Sequence, residues 1–394
     1  MTWRPGLDRT VILRASAAFV CVGVLAANVA RAAGPVVGWV GSEDPPASVN
    51  GTAGSATAIA AGLCHSCAIQ SGTGAVVCWG GNVEYASVTP PPAVDGTAGT
   101  ASAIAAGGYF YSLGEGYACA PRSCAIQSAT NAVVCWGSGG TAPPASVDGR
   151  AGTATAISVG WSHSCAIQAE TGAVVCWGGA QGGAHVPPFD VNGTDGTASA
   201  IAAGPSHSCA IQSGTRAVVC WGAHTSGQAT PPPSVDGTDG TASAIAVGGG
   251  DSCAIQSGTG AVVCWGYDGD GQATPPPSVD GTDGTASAIA VGGGHSCAIQ
   301  SGTGAVVCWG WGQFIPPPSV DGTAGGASAI AVGYAHSLAI QRVPRPPSPW
   351  GCGLGPELAL LLAPLWWLRR RAFATEANGE SGTVTPRNSR SAGS

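Results

Sequence analysis

Apolar residues in this chain come in short clusters, each closed off by glycine, proline or small polar residues. Four clusters recur in fixed order: Ala-Ile-Ala-x-Gly, then segments like His295-Ser-Cys297-Ala-Ile-Gln300, then Ala-Val-Val-Cys308-Trp309-Gly310, then Pro-Pro-x-x-Val. Runs this short, without helical spacing and bounded by turn residues, read as β-strands. The unit of about 44 residues repeats seven times between Val36 and Gln341. Six copies are whole. The seventh is split: His336-Ser-Leu338-Ala-Ile-Gln341 stands at the C-terminal end and Val36-Val37-Gly38-Trp39 at the N-terminal end. Each whole copy holds two cysteines, and the split copy has lost both, to Leu338 and Gly38. The two ends therefore meet.

A fixed repeat overrides the domain count that 394 residues would otherwise imply. An open solenoid needs polar caps and no half-repeats at its ends, whereas a ring is closed by the arrangement seen here. The pattern predicts an all-β fold, a seven-bladed β-propeller with four antiparallel strands per blade, the last blade completed by the N-terminal strand. The Ala-Ile-Ala-x-Gly strand is expected innermost, where only small residues fit. The Pro-Pro-x-x-Val strand (Val49, Val94, Val147, Val191, Val235, Val279, Val320) is expected outermost, since proline is tolerated at an edge.

The hairpin register pairs the cysteines. Folding about Gly302-Thr303 sets Gln300 opposite Ala305, Ile299 opposite Val306 and Cys297 opposite Cys308. Directly opposed cysteines at a non-hydrogen-bonded pair can bridge. The same holds for Cys67 with Cys78, Cys124 with Cys135, Cys165 with Cys176, Cys209 with Cys220 and Cys253 with Cys264. Zinc thiolates are the rival reading, but the Cys-x-x-Cys knuckles of such sites are missing. Two further cysteines, Cys64 and Cys119, fall in first turns of neighbouring blades and are expected to pair.

The sequence Ala-Ile-Ala-x-Gly-x-x-His-Ser-Cys-Ala-Ile, then Gly-x-Val-Val-Cys-Trp-Gly, then Gly-Gln (Gly227-Gln228, Gly271-Gln272) and Pro-x-x-Val resembles the regulator of chromosome condensation repeat in its short bacterial form. The resemblance covers about 306 of the 394 residues and implies a seven-bladed propeller. The family's eukaryotic member is a nuclear guanine-nucleotide exchange factor that binds chromatin. That activity does not carry over, because a fold does not bring its function with it. The composition also opposes it: the chain has no lysine, and residues 33–341 hold three arginines (Arg122, Arg150, Arg216) against 17 acidic residues, a formal charge of −14. Such a surface repels phosphate backbones, so no nucleic-acid partner is expected.

In a meander, alternate turns open on alternate faces. The second turns (Ser-Gly-Thr-Gly) and the links (Asp236-Gly-Thr-Asp-Gly-Thr) are nearly constant, while the first and third turns vary. Individuality is thus confined to one face, and its candidate binding residues are Tyr85, Trp161, His185, His224, Tyr267, Trp311, Phe314 and Tyr334, with Tyr109, Phe110, Tyr111 and Tyr117 from an insertion, Gly108 to Arg122, in blade two. Exposed tyrosines offer large contact area with a polar tip. The bland reading has this loop fold over the channel mouth and bury its own aromatics.

Other motifs carry less. The histidines His65, His163, His207, His295 and His336 form a ring, but Arg122 and Asp251 interrupt it, so structural hydrogen bonding outweighs a metal site. The Asp-Gly-Thr-Asp-Gly links lack the ligand count of a calcium loop. The repeated Trp-Gly is packing, and Asn50 and Asn192 begin glycosylation sequons, relevant only in a host with that machinery. No Gly-x-Ser-x-Gly elbow, Walker loop or His-Glu-x-x-His is present, so no enzyme, catalytic residue, cofactor or metal is expected.

The termini read as sorting segments. Residues 1–32 have the form of a secretory signal: Arg4, Arg9 and Arg14, an apolar run Ala15 to Ala27, and Ala30-Arg31-Ala32. The propeller occupies 33–341, a proline-rich linker 342–351 and a sorting or anchor segment 352–371, followed by a tail, 372–394, expected to be disordered. Cys352, the apolar run Leu358 to Leu368 and Arg369-Arg370-Arg371 resemble the C-terminal sorting signals of Gram-negative surface proteins, of the myxobacterial type. That resemblance makes Cys352 the processed or anchored residue; a plain membrane anchor is the alternative. The 23 residues after the arginines depart from the pattern. The expectation is a monomeric binding propeller, secreted or on the cell surface (outer membrane), that recognises an extracellular protein or glycan and touches membrane only through its C-terminal segment. A passive envelope module and, more weakly, an enzyme acting on extracellular polymer are the other readings.

Overall fold

In a computed structural model of the chain, the described residues are 33–81, 88–112, 117–139, 142–179, 183–312 and 314–343. The signal-like segment, Tyr85, Cys352 and the rest of the C-terminal segment lie outside them. The described strands form seven antiparallel sheets of three strands each. Unit one is β2 (Ala56–Ala61), β3 (His65–Gln70) and β4 (Val76–Gly80). Unit two is β5 (Ala101–Ser112), β6 (Tyr117–Gln127) and β7 (Val133–Gly137), and unit three β8 (Ala154–Val159), β9 (His163–Gln168) and β10 (Val174–Gly178). Unit four is β11 (Ala198–Ala203), β12 (His207–Gln212) and β13 (Val218–Gly222), and unit five β14 (Ala242–Val247), β15 (Asp251–Gln256) and β16 (Val262–Gly266). Unit six is β17 (Ala286–Val291), β18 (His295–Gln300) and β19 (Val306–Gly310). Unit seven joins β20 (Ala327–Val332) and β21 (Ser337–Gln341) to β1 (Val36–Trp39) from the other end of the chain.

The expected fourth strand is absent. Pro-Pro-x-x-Val forms a single tight turn in which the second proline's carbonyl accepts from both the valine and the following residue, as Pro91 does from Val94 and Asp95. Two adjacent prolines cannot donate to a ladder, so the segment closes on itself. It still docks on its unit: Val76 N donates to Val94 O, and the same single bond joins Val36 to Val49 and Val306 to Val320. All seven valines are fully buried plugs between units.

Among the described residues no β-ladder joins one of these sheets to the next, so the sheets do not form a continuous barrel. They meet through their inner strands, β2 on β5, β5 on β8 and onward to β20 on β2. The glycine that ends each inner strand makes this approach possible. A Cβ on Gly62, Gly107, Gly160, Gly204, Gly248, Gly292 or Gly333 would lie within 3 Å of the next unit's glycine carbonyl oxygen, and Gly333 meets that of Gly62. The circuit of seven contacts is complete. We expect Gly160→Ala to destabilise the protein by about 3 kcal/mol or more in a denaturant titration, since backbone cannot yield as a side chain can.

Each inner strand carries one irregularity, where a serine or threonine hydroxyl donates to an isoleucine carbonyl, Ser199 to Ile211 and Ser287 to Ile299 among them. In unit seven, Gly38 pairs with Leu338, the register at which unit six pairs Cys308 with Cys297. Among the described residues seven disulfides are present: the six cross-hairpin pairs, with Cα separations of 4.0–4.1 Å, and Cys64–Cys119. Such a set is consistent with an oxidising compartment.

Candidate binding face

The start of each middle strand lies buried between units. Four histidines bond a serine hydroxyl of the next unit: His65 Nε2 to Ser123 (2.7 Å), His163 to Ser208 (2.7 Å), His207 to Ser252 (2.9 Å) and His295 to Ser337 (2.8 Å). His336 reaches Ser66 of unit one at 3.0 Å. Ser208 and Ser252 donate their own protons to the carbonyls of Ala184 and Gln228, so they accept from a histidine Nε2–H. The same carbonyls accept the indole N–H of Trp221 and Trp265. That tautomer leaves Nδ1 bare, and Nδ1 of His65, His163, His207 and His295 is buried with no hydrogen-bond partner among the described residues. Burial holds all five histidines down at a pKa of about 4.

Two units break the pattern. In unit five Asp251 is fully buried with neither carboxyl oxygen hydrogen-bonded. Burial pushes its pKa up to about 7; the Gly250 and Asp251 amides and the Ser296 hydroxyl pull the other way more weakly. The raised pKa means the folded state holds a proton the unfolded chain has lost, so this stability is complete below the unfolded value and disappears as pH rises through about 7. Asp251→His is therefore expected to stabilise the protein at pH 8, by roughly 2–4 kcal/mol, and to destabilise it below about pH 5. Thermal melts at the two pH values check the crossover.

In unit two the position is Arg122, buried, its Nε and Nη2 donating to the carbonyls of Ser138 and Gly139. The insertion here is no separate loop. It continues the β5–β6 ladder outward, with Gly107 opposite Arg122 and Ser112 opposite Tyr117, and Cys64–Cys119 ties it to unit one. The hairpin carries Phe110 to the mouth of a central channel of about 280 Å³, lined by the ends of all seven inner strands. There Phe110 meets Tyr334 of unit seven edge to face (centroids 5.3 Å) and Trp161 of unit three (6.5 Å), while Trp161 and Tyr334 lie 6.3 Å apart. Phe110 remains 40% exposed and Tyr334 41%. The loop therefore folds over the mouth, as one of the two readings had it, without burying its aromatics.

The other candidates disperse. Tyr267 and Trp311 are exposed on units five and six, His224 is exposed on unit four, and His185 is half-buried on unit three. Tyr109 and Tyr111 stand 6.5 Å apart on the long hairpin. For Tyr117 only the backbone, in β6, is described. Phe314 is a correction: it is buried, stacked at 3.6 Å on the His295 ring, and is not available to a ligand. Its apolar neighbour in the turn, Ile315, takes the exposed place instead. The sequence reading missed a second cavity, of about 680 Å³, beside the channel, with Tyr109, Phe110, Arg122, Trp161, Ser162 and Ser206 in its wall. The one signal for it was an arginine standing in a register of histidines. Among the described residues no group of three His, Cys, Asp or Glu side chains converges to hold a metal ion.

No protein-family model matches the chain. No curated protein sequence matches it. Solved structures do. The ectodomain of the Physcomitrella patens receptor kinase CR4 is 21% identical with a TM-score of 0.56, over 73% of this chain and 71% of that one. The ectodomain of the Arabidopsis thaliana receptor kinase ACR4 is 22% identical with a TM-score of 0.54, over 72% and 91%. Prp20p of Saccharomyces cerevisiae, which binds Gsp1p and histones, is 16% identical with a TM-score of 0.57, over 79% and 92%. At these identities the likeness concerns fold alone. With seven three-stranded sheets around one channel, the chain has the β-propeller fold of the regulator of chromosome condensation repeat proteins.

Proposed function

We propose that this protein is an exported, non-enzymatic binding propeller, secreted or displayed on the cell surface, that recognises an extracellular macromolecule, a protein or a glycan, through the face carrying its first turns. The observation that carries this reading is the aromatic cluster of Phe110, Trp161 and Tyr334, contributed by three different units and left half-open over the channel mouth. Aromatic groups clustered at the centre of a surface supply most of the energy of recognition in known interfaces. The opposite face, built from near-identical turns, offers nothing comparable. Similar propellers are receptor ectodomains or a protein that binds Gsp1p and histones, all binding modules. In this reading residues 1–32 direct export, 33–341 bind, 342–351 link, 352–371 sort or anchor the chain through Cys352, and 372–394 form a tail. The protein acts as a monomer and needs no cofactor or metal.

The test is binding of the full secreted chain to extracts of its own cell envelope, compared with the variant Phe110→Ala/Trp161→Ala/Tyr334→Ala. Loss of at least a hundredfold in affinity with an unchanged melting temperature is expected. Retention of full binding by the folded variant rejects the reading.

A further inference from the structure

The cavity beside the channel holds a cation with no counter-charge among the described residues. Arg122 is only 3% exposed, its two hydrogen-bond partners are neutral backbone carbonyls, and no carboxylate among the described residues pairs with it. Burial in these surroundings lowers its pKa, and Tyr109 is the group that opposes this. A buried unpaired charge is costly, and no packing need explains it here, because five other units fill this position with a neutral histidine bonded to the neighbouring serine. Ser164, the equivalent serine beside unit two, is buried and lacks such a histidine. What the guanidinium has in exchange is a cavity. At about 680 Å³ it lies within the roughly 300–1,000 Å³ of small-ligand sites. Its walls carry Phe110, Trp161 and Tyr109, whose flat faces suit a sugar ring, and the hydroxyls of Ser162 and Ser206, which suit a sugar's own.

We propose that this cavity binds a carboxylate-bearing saccharide, a uronic acid residue of an extracellular polysaccharide, with Arg122 taking the carboxylate and the aromatic side chains packing on the ring. This deepens the binding reading above and rests on it. With Nε and one Nη2 hydrogen taken by the two carbonyls, Nη1 and the second Nη2 hydrogen remain as a fork that matches a carboxylate in plane and charge, and a site that leaves such donors unpaired rejects the neutral analogue. Residues 33–341 carry a formal charge of −14, so long-range attraction does not draw in polyanions. Selectivity must come from the one buried cation.

The experiment titrates the full chain with an oligoglucuronate by calorimetry, alongside the matching neutral oligoglucose and a short peptide with a free C-terminal carboxylate. The variant is Arg122→His, which restores the residue used by five units and faces the waiting Ser164 hydroxyl, so folding is preserved; a melt confirms it. Arg122→Lys, which keeps the charge without the fork, is the second variant. The expected result is binding of oligoglucuronate at least tenfold tighter than oligoglucose, a loss of ten- to hundredfold in Arg122→His, and a smaller loss in Arg122→Lys. Equal binding of the acidic and neutral sugars, undiminished binding by Arg122→His, or tighter binding of the peptide overturns the proposal. The face reading stands or falls separately, on the aromatic triple variant and the envelope extract.

Discussion

Acidification from pH 7 to pH 4 is expected to unfold this propeller. Five buried histidines lock the units to one another, each with its pKa held at about 4. In the unfolded chain the same rings take up protons near pH 6.5, so between those values the unfolded state binds more protons and gains on the folded one. A depression of this size is worth about 3 kcal/mol per histidine, and five together reach the upper end of the roughly 5–15 kcal/mol that stabilises a typical domain. Asp251 works in the opposite direction, its contribution growing as pH falls below about 7, but it is one group against five. The disulfides hold six of the seven hairpins together, so what fails is the packing between units. Tryptophan fluorescence followed against pH should show a cooperative loss between about pH 6 and 4, and His207→Asn should flatten the slope by roughly a fifth. A protein that keeps its native signal at pH 4 rules out the histidine–serine bonds as the link between units.

Reduction has an effect of similar size. Each of six cross-hairpin bridges spans 11 positions of sequence, and Cys64–Cys119 spans 55. In the chain-entropy account the short loops contribute about 3 kcal/mol each and the long one about 4. The core that remains is built largely of alanine, valine and glycine, with an isoleucine and a tryptophan per unit, and buries little apolar area per residue. Melting in the presence of a phosphine reductant should come at least 20 °C lower than without it. Unit seven has no bridge, so hydrogen exchange in the oxidised protein should be fastest at Val36–Trp39. An unchanged melting temperature after full reduction shows that packing alone sustains the fold.

Much of this architecture was legible in the repeat. Histidine, cysteine, alanine and tryptophan recur at fixed offsets, and only one hairpin register sets every cysteine opposite its partner. The glycine ending each inner strand marked where backbones crowd. The Pro-Pro-x-x-Val segment was misread because an apolar residue after prolines is equally a short edge strand and a plugged turn; only the hydrogen-bond partners of its N–H groups decide. Phe314 looked like a variable-turn aromatic, and what buries it, the flat face of His295, is distant in sequence. The site was less legible for a related reason. Phe110, Trp161 and Tyr334 come together only because unit seven sits beside unit one, which Cys64–Cys119 ties to the long hairpin of unit two. No local pattern encodes that meeting.

Ring closure is therefore the claim on which the candidate site depends, and a cysteine pair placed in the split unit tests it. Gly38 and Leu338 stand opposite each other in the register that bridges in the six other units. A Cβ at position 38 would press on the Leu338 side chain, which the second substitution removes, and on the Ser42 hydroxyl, which can rotate away. In the double variant Gly38→Cys/Leu338→Cys, peptide mapping under non-reducing conditions should recover an eighth disulfide joining the two positions, and the melting temperature should rise. Two free thiols at 38 and 338, with the other seven bridges intact, would show that the N-terminal strand does not complete the seventh unit.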